Sequence, residues 1–312
     1  MTGLEVSRDY FFRIIQPALS QGFPHIYAQA AAGLAGNGSE CFGYDDALSR
    51  DHDWGTACFL WLPESCRDMI PTLSSWLEEL YAKHPPAYPR HSSPYGGVTG
   101  VMTVADFYRS LIGSAERPKA LTDWLRIPEE NLAMAVNGEV FLDNLGHFTR
   151  VRNELLQHYP EDILRKKLAA CCMSMAQTGQ YNHGRMAARR DWVTLRGILS
   201  RFTDAAMEAA FLLNRRYKPY YKWAYRAMSE LPVLGHSFAP LLTELALSPD
   251  FDPDSLLQQS RCIEEICSLL RQELQRQGFS RETDDFLVAH GEAIQQSISD
   301  PFLRSLPAQY GL

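Results

Sequence analysis

Apolar positions divide the chain into two parts of different period. Up to about Thr149, short apolar runs alternate with glycine turns and helical stretches; beyond it, apolar residues recur mostly at three- and four-residue spacing. In the first part, residues 53–62 place apolar and aromatic side chains behind carboxylates and stop at Pro63, which predicts a core strand. Met69, Leu73, Trp76, Leu77, Leu80 and Tyr81 follow helical spacing, and Pro85 and Pro86 end that helix. Residues 98–102 read as a strand leading to Thr103, whose hydroxyl can cap a helix with Asp106 in the capping-box position. Gly138 precedes a short strand over 139–143, and Asn144-Leu145-Gly146 supplies the turn that follows.

In the second part, the pattern predicts helices over 162–178, 185–213, 219–230, 254–277 and 282–299. Ile263, Ile266, Leu270 and Leu274 form one apolar stripe on the fourth. The expected architecture is an α/β (α+β) domain with a small mixed sheet over 1–149, followed by an all-α helical bundle domain over 150–312. Neither an internal repeat nor a low-complexity tract is present.

Composition narrows the class. With 46% hydrophobic and 21% charged residues, neither a disordered chain nor a membrane bundle fits. Residues 14–39 carry no formal charge and are long enough to span a bilayer. They contain Gln16, Pro17, Gln21, Pro24, His25 and Asn37, so they are not read as a span. The start has no basic segment followed by an apolar run and a small-residue cleavage site, so a cytoplasmic protein is expected. Seven cysteines without a C-x-x-C pair read as reduced core residues. Net charge is −7, yet residues 181–226 alone carry +7, leaving −14 elsewhere. A basic patch set in an acidic chain suits a compact anion better than a long polyanion, so no nucleic-acid partner is expected.

The richest stretch is GSECFGYDDALSRDHDWG, residues 38–55. Alternate residues of a strand face one side, so Asp51 and Asp53 project together if that segment is extended. Two such carboxylates can hold one or two Mg²⁺ ions, which clamp the attacking and leaving oxygens of a phosphoryl displacement. Upstream, Gly38 lets the backbone approach a phosphate, and the Ser39 hydroxyl and nearby N–H groups can bond it. No Lys follows the glycines as a P-loop requires, and Gly33, Gly36 and Gly38 have the wrong spacing for a dinucleotide fingerprint.

With these motifs, and with QYNHGRMAARRD (180–191) and FLLNRRYKPYYKW (211–223), the chain resembles the DNA polymerase β-like nucleotidyltransferase superfamily, in a bacterial branch similar to kanamycin-type small-molecule nucleotidyltransferases. His52 departs from the usual apolar residue between the two aspartates. The resemblance implies triphosphate binding at Gly38 and Ser39 and metal binding at Asp51 and Asp53. It further implies Mg²⁺-dependent transfer of a nucleoside monophosphate, AMP from ATP, to a hydroxyl of a small-molecule acceptor with release of pyrophosphate. Members generally add a third carboxylate as metal ligand and base. Asp143 and Glu139 are both candidates, expected on one face of their strand, with Asp143 favoured slightly.

A second constellation is cationic. Arg215, Lys218 and Lys222 follow i, i+3, i+7 spacing, although Pro219 can start a new helix there, and Arg185 and Arg189 are four apart. Arg185, Lys218 and Lys222 are expected to neutralise the triphosphate and leaving pyrophosphate. A competing motif, Arg152-Asn153 with His158 six positions after the arginine, resembles the signature of helical ribonucleases. Other rivals are adenylylation of a protein partner and an inactive nucleotide-binding module.

Overall fold

Two runs without a polar side chain, AAGL and FLWL, form neighbouring strands whose residues are all buried: β1 (Ala31–Leu34) and β2 (Phe59–Leu62). Strands of this kind need cover on both faces. The structure, a computed structural model describing residues 1–50, 54–90, 100–248 and 251–311, supplies it. With β3 (Gly100–Thr103) and β4 (Glu139–Asp143) it makes a mixed sheet in the order β3-β2-β1-β4. β1 is antiparallel to both β2 and β4, and β2 is parallel to β3.

On one face Ala32, Leu34, Leu60 and Leu62 pack with Phe11, Ile15 and Leu19 from the N-terminal helical stretch and with Leu73 and Leu77 of the Ile70–Lys83 helix. On the other, Trp61 stacks 3.9 Å from Phe148, and Phe107 meets Phe59 and Trp61 edge-on. Burial of each such side chain contributes about 2–3 kcal/mol.

The strand expected over 53–62 is shorter. Gly55 sits at φ +118° with its Cα against the Tyr88 and Pro89 carbonyls, so the chain bends before it joins the sheet at Phe59. Thr103 caps its helix, Val104–Ile112, as expected, with Oγ1 accepting the Asp106 N–H at 3.0 Å. Asp106 itself turns to Arg67 at 2.8 Å.

β4 carries a bulge that plain alternation does not foresee. Ala31 opposes Asp143 and Ala32 opposes Leu142, but Gly33 opposes Val140 and Leu34 opposes Glu139, leaving Phe141 as the additional residue. Opposed residues share a face, and Ala31 and Leu34, three apart, lie on opposite ones. Asp143 and Glu139 therefore point to opposite faces, which corrects the expectation that they share one. Gly33 marks the close approach: a Cβ there would lie 2.3 Å from the Glu139 carbonyl oxygen.

The chain divides into two units, residues 1–157 and 158–312. The division falls after the helix His147–Leu156, not at Thr149, because Phe148 of that helix is part of the sheet's aromatic cluster. Among its described residues, the second unit has helices as its only regular elements, joined by turns. The single helix expected over 185–213 is two, His183–Arg189 and Trp192–Leu213, separated where Arg190 takes φ +57° and Asp191 caps the second through the Thr194 N–H. Gly235–Leu247 is a helix the pattern did not suggest, since Pro240 lies inside it. The expected 254–277 helix is Pro253–Arg276, and its stripe is buried. All seven cysteines are free thiols, as their spacing suggested. Among the described residues, no helix is long and apolar enough to cross a membrane.

Candidate functional site

β1 ends at Leu34 and the chain enters a loop held by residues from the start of β4. Gly36 donates its N–H to Asn137 Oδ1 at 2.7 Å, and Asn137 Nδ2 donates back to the Gly36 carbonyl at 2.8 Å. Gly138 donates its N–H to the Cys41 carbonyl at 2.8 Å. A Cβ at Gly138 would fall 2.0 Å from the Leu34 carbonyl oxygen, and φ there is +69°, so only glycine serves. Within this frame Gly38 adopts φ +112° and Ser39 begins a short 3₁₀ turn, Glu40–Phe42. The Ser39 carbonyl accepts the N–H groups of Phe42 and Tyr44, while its hydroxyl does not cap the turn. The half-exposed Gly38–Ser39 pair thus stands on a braced loop at the end of β1.

Beneath it lies a buried ion pair. Glu40 is fully buried, and its Oε1 accepts Arg90 Nη1 at 2.5 Å from a guanidinium only 6% exposed. Burial pushes the Glu40 carboxyl above its ordinary range, against the pull of Arg90. Asp45 Oδ2 accepts both the Gly3 N–H and Trp54 Nε1–H at 2.8 Å, and Arg50 stacks 4.5 Å over the Trp54 ring. These bonds fix both flanks of residues 51–53. Asp51 and Asp53 themselves lie outside the described residues. Because β1 and β2 are antiparallel, the segment approaching β2 reaches the sheet at the same end as the Gly38–Ser39 loop. A cleft of about 490 Å³ opens at that end, lined among others by Thr56, Ser74, Glu78, Tyr81 and Arg90.

The two candidate third carboxylates separate. Glu139 opposes Leu34 and so stands at the loop end of β4, with its carboxylate 3.0 Å from Arg8. Asp143 opposes Ala31, roughly 16 Å back along β1 from Gly36 at ~3.3 Å per residue. Its Oδ2 accepts the Thr149 N–H at 2.7 Å, capping the His147–Leu156 helix. The structure does not bring Asp143 to Gly38 and Ser39.

The cations of the second unit do not share one helix face. The Trp192–Leu213 helix ends before Arg215, which takes φ +53° and pairs with Glu161 at 3.2 Å, and the next helix begins at Tyr221. Lys218 is committed to Asp204 at 3.0 Å and Glu208 at 3.1 Å. Lys167 also binds Glu208, at 2.7 Å. Burial raises the Glu208 carboxyl, but the two ammonium groups outweigh it and hold the group below its usual range. Arg185 donates to the Tyr181 hydroxyl at 2.6 Å, and the exposed Lys222 lies 5.3 Å over the Trp223 ring.

Arg152 donates to the Val136 and Gly138 carbonyls at 3.0 Å each, holding the chain that enters β4. His158 is buried, stacked 4.8 Å from Tyr217, with Nε2 facing the Arg216 carbonyl at 3.3 Å. Burial lowers its pKa to about 3.

Sequence reasoning passed over Glu40 and Arg90. Glu40 directly follows the Gly-Ser pair and precedes Cys41 and Phe42, a weak signal of burial; nothing marks its partner fifty residues on. Among the described residues, no group of three His, Cys, Asp or Glu side chains could hold a metal.

The sequence model of a family described as "Domain of unknown function (DUF4037)" matches residues 124–224. That stretch takes in β4, Arg152, His158 and the cationic segment up to Trp223, and leaves out Gly38 and Ser39. No curated protein and no solved structure matches the chain.

Proposed function

We propose that the chain is a nucleotidyltransferase of the polymerase β-like kind, transferring AMP from ATP to a hydroxyl of a small-molecule acceptor and releasing pyrophosphate. The observation that carries the reading is the Gly36–Gly43 loop: a glycine-rich turn with a half-exposed Gly-Ser pair, braced at the end of a small mixed sheet where the segment entering β2 also arrives. Backbone N–H groups there suit phosphate oxygens. Two carboxylates are hard oxygen donors suited to Mg²⁺, and Asp51 and Asp53 would hold it, where it would neutralise charge building on the phosphate oxygens.

Of the other carboxylates, Glu139 fits the role of third ligand better by position, and Asp143 fits a helix cap. Among the cations, Lys218 is already neutralised by Asp204 and Glu208. The 490 Å³ cleft is large enough for a small acceptor. The ribonuclease reading finds no support, because the Arg152 guanidinium is spent on two carbonyls and His158 is buried.

The test is thermal unfolding with each of the four NTPs, with and without Mg²⁺, followed by incubation with labelled ATP and a panel of hydroxyl compounds. A Mg²⁺-dependent rise in melting temperature with ATP, then an AMP adduct and pyrophosphate, is expected. No shift with any NTP overturns the reading.

A further inference from the structure

The buried Glu40–Arg90 pair has two features a purely structural ion pair does not need. It is half-satisfied: Glu40 Oε2 and Arg90 Nε are buried and hold no hydrogen bond, although each side chain is more than nine-tenths buried. Each idle polar atom is costly in a dry setting. It is also wrapped by the loop it underlies. A Cβ on Gly38 would lie 2.9 Å from Glu40 Oε2, and a Cβ on Gly3 would lie 2.7 Å from Glu40 Cβ, so glycines close over the carboxylate from two sides.

Arg90 in turn belongs to the segment that holds the approach to β2. The Thr56 N–H donates to the Tyr88 carbonyl at 2.8 Å, Thr56 bridges Pro89, and Gly55 fits against both carbonyls. A single ion pair therefore links the Gly38–Ser39 turn to the chain on the far side of residues 51–53. Replacing a buried ion pair by apolar groups of like volume is often neutral or stabilising, so stability alone is a poor reason to bury this one.

We propose that Glu40 and Arg90 are positioning residues: their ion pair fixes the Gly38–Ser39 backbone against the segment entering β2, and so sets the affinity of that loop for a nucleoside triphosphate. This rests on the nucleotidyltransferase reading for its ligand, though not for its geometry. The Glu40 carboxylate acts from below the turn and touches no substrate.

The experiment compares wild type with the Glu40→Gln/Arg90→Met double variant, which removes both charges and keeps volume, and with Arg90→Lys, which keeps the charge but not the planar fork. Three quantities are measured: the unfolding midpoint, the Kd for MgATP by calorimetry, and hydrogen exchange of the amides of residues 38–44. The double variant should unfold at or above the wild-type midpoint, yet bind MgATP about tenfold or more weakly, since small misplacements of a binding loop are costly. Its loop amides should exchange about tenfold faster. Arg90→Lys should lose roughly threefold in affinity, and it decides the matter if the double variant does not fold. Wild-type affinity in either folded variant overturns the proposal. If wild type binds no NTP, the nucleotidyltransferase reading falls separately, and exchange still judges the pair: faster exchange upholds it, unchanged exchange overturns it.

Discussion

Each unit buries a cluster of opposite charges, and the two clusters differ in how completely they are satisfied. In residues 158–312, Glu208 is gripped by Lys167 and Lys218, Lys167 also reaches the Gly311 carbonyl at 3.2 Å, and Lys218 reaches Asp204. Beside them, Lys166 donates to Gln295 Oε1 at 2.8 Å and to the Pro307 carbonyl at 2.6 Å. In residues 1–157, Glu40 and Arg90 share one short bond and each keeps an idle polar atom. Burial of charge does not by itself point to chemistry, since ion-pair networks that only hold helices also bury charge. The saturated cluster resembles a clamp within its bundle. The unsaturated one lies under a glycine turn and reaches the segment that enters β2.

The strongest way to break this contrast is at the aspartates. Asp51→Asn with Asp53→Asn should lower AMP transfer from labelled ATP by roughly two to three orders of magnitude, while the unfolding midpoint stays near wild type. Equal turnover would leave the first unit without its chemistry.

Next in size is the saturated cluster. Glu208→Ala leaves the buried Lys167 ammonium without its carboxylate and takes from Lys218 one of its two, and should cost about 3–5 kcal/mol in urea unfolding, with no change in MgATP affinity of the folded fraction. Lys222→Met, at an exposed site, should stay within about 0.5 kcal/mol in stability. A Glu208 variant that folds normally but loses nucleotide would reverse the roles of the two clusters.

A pH titration sharpens the second unit further. His158 titrates near 6.5 when unfolded and at about 3 when folded, because burial disfavours its charged form. The unfolded state therefore binds more protons between these values, and stability is full above 6.5 and falls as pH drops. The slope is about 1.4 kcal/mol per pH unit, or about 2 kcal/mol between pH 6.5 and 5. His158→Gln should flatten that part of the profile. A slope unchanged in the variant would assign it to other groups.

The smallest effect concerns Asp143. As a helix cap, its replacement by Ala should cost about 1 kcal/mol and leave AMP transfer within about twofold. A drop of two orders in transfer would restore it as a metal ligand.

Periodicity was enough to read the apolar runs that enter the sheet, the Thr103 cap, and the long Pro253–Arg276 helix with its stripe, because each depends on residues close in sequence. It failed where distant residues decide. The break at Arg190 is set by a left-handed turn on a residue of ordinary helix propensity, and the Gly235–Leu247 helix tolerates Pro240 within its packing. At the candidate site, Gly38 and Ser39 were visible as a motif. Glu40 and Arg90 were not, since an ion pair fifty residues long leaves no local pattern. Lys218 was misjudged for the same reason: its counterions Asp204 and Glu208 lie a few helical turns upstream, on a helix it does not belong to.

The bulge at Phe141 has a consequence for how this chain tolerates changes in length. By spending one unpaired residue, β4 sends Glu139 towards Arg8 on one side of the sheet and Asp143 towards the His147–Leu156 helix on the other. Deleting that single residue would restore strict alternation and leave Glu139 and Asp143 three apart, as their partners Leu34 and Ala31 are, so both ends would keep their register. Phe141 thus matters for its identity more than as a spacer, since its buried ring packs 5.5 Å from Phe11. Loss of that one residue is therefore compatible with the pairing at both anchors, whereas truncation of its side chain leaves a cavity in the core.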